Sequence, residues 1–254
     1  MFNIWLYSLI SVFAVSLISL VGVLALVPNR NFLRKILLFL VSFAAGALLG
    51  DAFLHLLPEV FKKSDSDPQV PVFILLGILI FFILEKIIYW RHCHECFPEE
   101  KSSHFHPQPF AYTCLIGDGL HNLIDGMIIA GSYLVSLPLG VATTLAVILH
   151  EIPQEIGDFG ILIKAGFSRL KALIFNLLSG LVAVIGAILT LTIGNQVESF
   201  SLFIIPLTIG GFIYIACADL IPELHKEQRL KNSFWQLMFF ILGIGAMALL
   251  LFME

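Results

Sequence analysis

Eight apolar runs, each about 20–26 residues long, leave this chain little choice of fold. They are Ile4–Val27, Ile36–Val60, Val70–Trp90, Phe110–Val135, Leu139–Ile163, Leu170–Ile193, Phe200–Ile221 and Phe234–Met253. At a rise of about 1.5 Å per residue, a run of this length crosses the apolar core of a bilayer with some tilt. Backbone groups in lipid must satisfy one another, which favours helices for runs of this kind. The expected fold is therefore all-α: an integral membrane protein of eight transmembrane helices, with residues 1–254 forming one domain. Composition agrees, at 59% hydrophobic and 13% charged. A net charge of −4 gives no footprint for nucleic acid, so lipid is the expected surrounding partner. The first run lacks a basic start and is too long for the core of a signal peptide, so it is expected to stay as a helix.

Orientation follows from the basic residues. Arg30, Arg34 and Lys35 lie after the first run, and Lys86, Arg91 and Lys101 around the end of the third. Lys164, Arg169 and Lys171 follow the fifth, and Lys226, Arg229 and Lys231 the seventh. These are 12 of the 14 Lys and Arg; only Lys62 and Lys63 fall on the other side. The positive-inside rule then places both termini outside and the odd loops in the cytoplasm, in a cell membrane.

Runs four and five break the apolar rule. Asp118, His121, Asn122 and Asp125 stand at i, i+3, i+4 and i+7, on one face of helix four. His150, Glu151, Gln154, Glu155 and Asp158 keep helical spacing on helix five. The only plausible break between them is Ser132–Pro138, so the helices are antiparallel and both sets fall at mid-span. An ionised side chain at a bilayer centre costs about 2.5–3.5 kcal/mol, and five carboxylates on the order of 10 kcal/mol. No Lys or Arg lies between Lys101 and Lys164 to offset that. His, Asn, Asp and Glu together suit a borderline divalent ion. The competing structural reading is a network of hydrogen bonds that only holds the bundle together.

Other polar residues suggest a route. Asp51, His55 and Glu59 share a face of helix two, from mid-membrane to the outer mouth. Asp219, Glu223 and His225 lie toward the cytoplasmic end of helix seven. Asn176 on helix six either reaches the site or bonds a neighbouring helix. Helix two ends His55-Leu56-Leu57-Pro58-Glu59 and helix seven ends Asp219-Leu220-Ile221-Pro222-Glu223. The two cross the membrane in opposite senses, as an inverted repeat of helices one to three by six to eight requires. Coincidence is the other explanation.

Pro153 removes a backbone hydrogen bond within helix five and frees the Leu149 carbonyl beside His150. Glycines at 117, 119, 126, 131, 157 and 160 are expected to let helices four and five approach closely. Cys114 and Cys217 are expected as small buried thiols. The loop Arg91–Gln108 holds His92, Cys93, His94, Cys96, His104 and His106, in a spacing that fits no closed zinc finger. It is either a loosely binding metal loop or a solvated linker.

With His121-Asn122-x-x-Asp125-Gly126 on helix four and His150-Glu151-Ile152-Pro153-Gln154-Glu155-Ile156-Gly157-Asp158 on helix five, the chain resembles the ZIP family of divalent metal transporters. It is most similar to the branch whose fifth helix reads HExPHExGD, and Gly50-Asp51-x-x-x-His55-x-x-Pro58 resembles that branch too. The resemblance implies a 3+2+3 helix arrangement, uptake of zinc into the cytoplasm and no resident cofactor beyond the transported ion. Fe(II), Mn(II) and Cd(II) are the alternative cargoes, and a homodimer is left open. By position it implies His121, Asn122, Asp125, His150, Glu151 and Gln154 as intramembrane ligands. Gln154 stands where the branch usually has His, which weakens or alters a second, adjacent metal position.

Two other classes compete. His150-Glu151-x-x-Gln154 is similar to the HExxH of zinc proteases, but the second His is missing and a Pro intervenes. A proton-coupled carrier of another solute would use the carboxylates as a relay and would work in strict chelator. Metal ligands bind only when deprotonated, so metal uptake is expected to fall in acid, over the range where His titrates.

Overall fold

The computed structural model describes residues 2–26, 30–64, 68–93, 109–194 and 200–253. Regular structure among the described residues is helical throughout. α1 runs Phe2–Ile18 and tightens to a 3-10 coil over Ser19–Leu26. α2 runs Arg30–Gly50, widens to a π-helix over Asp51–Leu56 and resumes over Leu57–Ser64. α3 is Gln69–Cys93, α4 is Pro109–Val135 and α5 is Leu137–Lys164. α6 comprises Arg169–Gly180 and Val182–Gly194. α7 repeats the pattern of α2: Phe200–Tyr214, a π-helix over Ile215–Leu220, then Ile221–His225. α8 is Leu230–Leu250 with a 3-10 end at Leu251–Met253.

Among the described residues, six helices are long and apolar enough to cross a membrane: Asn3–Leu24, Lys35–Lys62, Gln69–Lys86, Arg169–Gly194, Leu202–His225 and Leu230–Leu250. α4 and α5 are as long, but they carry the polar residues singled out above, which dilute their apolar character. Large side chains such as Ile116, Leu170, Leu178 and Leu249 face outward. An apolar exterior of this extent suits lipid as the solvent.

Local chemistry sets the breaks. Ser136, the one residue between α4 and α5, is extended, and its hydroxyl accepts from the Leu139 N–H at 3.2 Å. Pro138 follows in the first turn, where its missing N–H costs nothing. α5 ends in a Schellman turn: Gly166 has φ +94°, Phe167 N–H donates to the Leu162 carbonyl and Gly166 N–H to that of Ile163. Helix five continues unbroken through Pro153. Both π-helices stand just before a proline. Leu57 N–H donates to the Ala52 carbonyl and Ile221 N–H to that of Ala216, five residues back in each case. The wider turn makes room for the ring of Pro58 or Pro222, which would otherwise push on the preceding turn.

The most extensive packing pairs α2 with α8, α4 with the second half of α6, and α3 with α7; α4 with α5 and α5 with α1 follow. Reciprocal glycines bring the first three pairs together. A Cβ on Gly46 would meet the Phe240 carbonyl oxygen and one on Gly243 that of Phe43; Gly77 and Gly210 stand likewise against Leu207 and Ile74. On α4, Gly126 meets Ala183 of α6, whose Gly186 meets Leu123 in return. The expected glycine seam between helices four and five is therefore corrected. Gly126 serves α6, and Gly157 and Gly160 sit where a Cβ would meet nothing within 4 Å. Polar side chains fill the space between α4 and α5 instead.

Candidate metal centre

Four side chains converge where α4 and α5 cross. α4 supplies His121 and Asp125, one turn apart, and α5 supplies the adjacent His150 and Glu151; one ligand atom from each lies within 4.8 Å of all the others. His121 Nε2 is 3.3 Å from His150 Nε2, 3.3 Å from Glu151 Oε1 and 3.8 Å from Asp125 Oδ2. His150 Nε2 is 3.2 Å from Asp125 Oδ2 and 3.5 Å from Glu151 Oε1. A tetrahedral ion bonded at about 2.0–2.1 Å holds its ligand atoms about 3.3–3.4 Å apart. The five separations bracket that edge.

The surroundings fit the same chemistry. Asp125, His150 and Glu151 are at most 1% exposed, and both Asp125 oxygens and Glu151 Oε1 have no hydrogen-bond partner. Buried carboxylate oxygens without donors invite a cation. His150 Nδ1 donates to the Ala146 carbonyl at 3.2 Å. That bond fixes the tautomer and leaves the Nε2 lone pair facing the centre. Phe81 and Phe212 meet the rings of His121 and His150 edge-on, at 5.9 and 6.4 Å, and hold them in place.

The remaining expected residues stand around this set. Asn122 Nδ2 donates to Asp118 Oδ1 at 2.9 Å and to the Asp118 carbonyl at 3.1 Å, while its own Oδ1 is buried and unpartnered. Gln154 is half-buried, and Asp118, Gln154 and Asp158 line a cavity beside the centre. Glu155 is buried and accepts from Asn176 Nδ2 at 2.5 Å; the same amide reaches the Ser19 carbonyl at 3.1 Å. Asn176 thus ties α6 to α5 and α1. Asp51 and His55 are buried on α2, where Asp51 Oδ2 accepts from Thr143 Oγ1 at 3.1 Å and His55 Nε2 donates to the Met247 carbonyl at 2.8 Å. Glu59 is half-buried, 4.0 Å from Lys62. Asp219 and Glu223 are exposed on the cavity wall, with Glu223 paired to Lys226. Among the loop residues, His94, Cys96, His104 and His106 lie outside the described residues, as do the side chains of His92 and Cys93. The buried-thiol expectation is corrected: Cys114 is half-buried and Cys217, in the widened turn of α7, is exposed.

The cavity encloses about 450 Å³ and has His121 on its wall. Two of its polar residues escaped the sequence reading. Glu85, in the second half of α3, accepts a hydrogen bond from the Tyr214 hydroxyl of α7, and both line the space. Beside Lys86, Glu85 looks like an ordinary interfacial charge, and no spacing along α3 links it to the polar residues of α4 and α5.

A family model described as the ZIP zinc transporter matches residues 2–109 and 92–251. Three relatives are similar over nearly the whole chain. A protein of Drosophila melanogaster named zinc transporter ZIP13 homolog is 32% identical, over 97% of this chain and 88% of its own length. Zinc transporter ZIP13 of Danio rerio is 31% identical, over 98% and 87%. Zinc transporter zipt-7.1 of Caenorhabditis briggsae is 31% identical, over 99% and 80%.

Proposed function

The chain belongs to the ZIP zinc transporter family, and on that premise we propose that it takes up divalent transition-metal ions, zinc first, through the His121–Asp125–His150–Glu151 centre. A family of transporters sets aside the protease reading. The observation that carries the proposal is the match between the four donors' separations and the edge of a zinc tetrahedron. The two imidazoles and two carboxylates replace the water shell of the ion, and the negative charge offsets its dehydration. Fe(II) and Mn(II) are the alternative cargoes of the same donors, and cadmium can follow zinc. Asn122, Gln154 and Glu155 belong to the immediate surround, with Gln154 as the place where a second, adjacent ion is weakened.

The basic residues of the odd loops support a cell-membrane protein with both termini outside and transport toward the cytoplasm. The cavity, lined by Asp118, Asp158, Asp219 and Glu223, is then the inner path, and Asp51, His55 and Glu59 mark the outer one. Eight spans in a 3+2+3 arrangement fit the packing. An inverted repeat exchanges helices one, two and three with six, seven and eight, and four with five. It turns the α2–α8 contact into α7–α3 and the α4–α6 contact into α5–α1, all of which are present. Access to the two sides alternates as the outer helix groups rock against α4 and α5.

The test is uptake into proteoliposomes, with Zn, Fe(II), Mn and Cd competing, for the parent and His121→Ala. Selective uptake lost in the variant supports the centre and ranks the cargoes. Unchanged uptake would reduce the cluster to structural hydrogen bonding.

A further inference from the structure

We propose that Phe81 is a positioning residue for transport, holding His121 in the centre and releasing it by withdrawing into an apolar cavity. The proposal deepens the transport reading and rests on it. Two cavities lie end to end along α3, α4 and α7, and Phe81 is on the wall of both. The larger is the space of about 450 Å³ that has His121 on its wall. The smaller encloses about 110 Å³ between Ile80 of α3, Met127 and Ile128 of α4, and Leu207 and Thr208 of α7. Chain order fixes their arrangement. On α3 the smaller cavity is lined by residues before Phe81 and the larger by Leu84 and Glu85 after it. On α4 the smaller is lined by residues after His121 and the larger by residues before it.

The two histidines of the centre are held differently. The His150 side chain is 1% exposed, its Nδ1 donates to the Ala146 carbonyl, and the ring beside it, Phe212, lines neither cavity. The His121 side chain is 16% exposed, and among the described residues it has no backbone anchor of that kind. What confines it is Phe81, edge-on with ring centroids 5.9 Å apart and planes at 87°. On its other side the Phe81 ring is pressed against α7, where a Cβ on Gly211 would come within 2.5 Å of it. Glycine at 211 therefore leaves room for the ring where it stands and no further room in that direction.

In a close-packed interior a side chain changes rotamer only where there is space to receive it. The smaller cavity is such a space. Its one side-chain hydroxyl, that of Thr208, donates to the Ile204 carbonyl at 2.9 Å, and the rest of its wall is apolar, so nothing there calls for water. A dry apolar cavity of about 150 Å³ accepts a free benzene molecule. At about 110 Å³ this one is of the same order, and the ring that enters it is already part of its wall. With Phe81 withdrawn beside Met127 and Ile128, His121 is free to turn toward the larger cavity with the ion, while Asp125, His150 and Glu151 stay behind. The return of the ring restores the four-donor geometry for the next ion.

The test fills the smaller cavity and asks whether the effect depends on the ring. Initial rates of zinc uptake into proteoliposomes are measured for the parent, Leu207→Phe, Phe81→Ala and the double variant. Ile80→Phe fills the same cavity from α3 should Leu207→Phe not fold. The filler is expected to lower the maximal rate several-fold with KM within about twofold of the parent, because the centre with His121 in place is untouched. Phe81→Ala should raise KM several-fold, because His121 is no longer confined. In the double variant the filler should no longer slow transport, a non-additivity that two merely structural changes would not produce. Equal slowing with and without Phe81, or no slowing by either filler, overturns the proposal. Fluorine NMR of the full chain in detergent, with para-fluorophenylalanine in place of Phe81, reads the ring without transport. A second resonance whose share changes with zinc, and which Leu207→Phe abolishes, supports the two positions; a single resonance indifferent to both overturns them. Uptake indifferent to His121→Ala marks a failure of the central reading instead, which the fluorine signal keeps distinct.

Discussion

The ends of α2 and α7 carry similar five-residue endings, His55-Leu56-Leu57-Pro58-Glu59 and Asp219-Leu220-Ile221-Pro222-Glu223, and a π-helix before the proline, yet one is packed shut and the other opens on a cavity. On α2, Asp51 and His55 are buried and bound to Thr143 of α5 and the Met247 carbonyl of α8. On α7, Asp219 and Glu223 are exposed and line a space of about 450 Å³. Even the glycines correspond: Gly46 stands twelve residues before Pro58, and Gly210 twelve before Pro222. A shared Pro-Glu ending and a shared widened turn therefore do not fix whether an end is open. The difference lies in what packs against each end, which is a property that a change of packing can exchange.

Removing what the two ends share should have the largest effect. His150→Ala takes away a central ligand and should lower zinc uptake on the order of 100-fold or more, measured as initial rates in proteoliposomes, since even outer-shell losses cost 10–100-fold. Uptake within a few-fold of the parent would remove the centre from the path.

Accessibility should then separate the ends. In a background without native cysteines, Asp219→Cys is expected to react with a small water-soluble thiol reagent at least about tenfold faster than Asp51→Cys, following the exposure of cavity and packed sites. Equal rates would mean that the two ends open alike in solution.

Stability should treat the halves evenly. Gly46→Ala and Gly210→Ala each drive a Cβ into a neighbouring carbonyl oxygen, on Phe240 and Ile74. Each should cost about 1–3 kcal/mol, seen as similar falls in melting temperature. A large loss at one and none at the other would break the correspondence.

The smallest effect is expected from Thr143→Val, which removes one hydrogen bond from the closed end. At about 1 kcal/mol it should raise labelling of that end roughly fivefold if the bond helps to hold it shut. No change would leave closure to apolar packing alone.

Sequence made the convergence of the central cluster legible because helical spacing is strict: His121 with Asp125, and His150 beside Glu151, fall on facing sides once the break at Ser136 makes the helices antiparallel. It also separated α4 and α5 from the plainly apolar helices. Spacing could not reveal that Asn176 would take up Glu155, because that bond depends on how α6 crosses α5. Nor did the glycines say which neighbour they face; Gly126 serves α6 although it lies on the helix that carries the ligands. The π-helices left only a faint trace, the prolines at 58 and 222. Glu85 and Tyr214 left none, because their link joins distant parts of the chain through a single side-chain bond.

Ser136 has a consequence for affinity. It is the whole connection between α4 and α5, so each pair of proposed ligands is held at a very high effective concentration relative to the other. Little chain entropy has to be lost when an ion joins them. On the proposed reading the ion meets a vise whose jaws are already set, and much of its binding energy is free to strip off water.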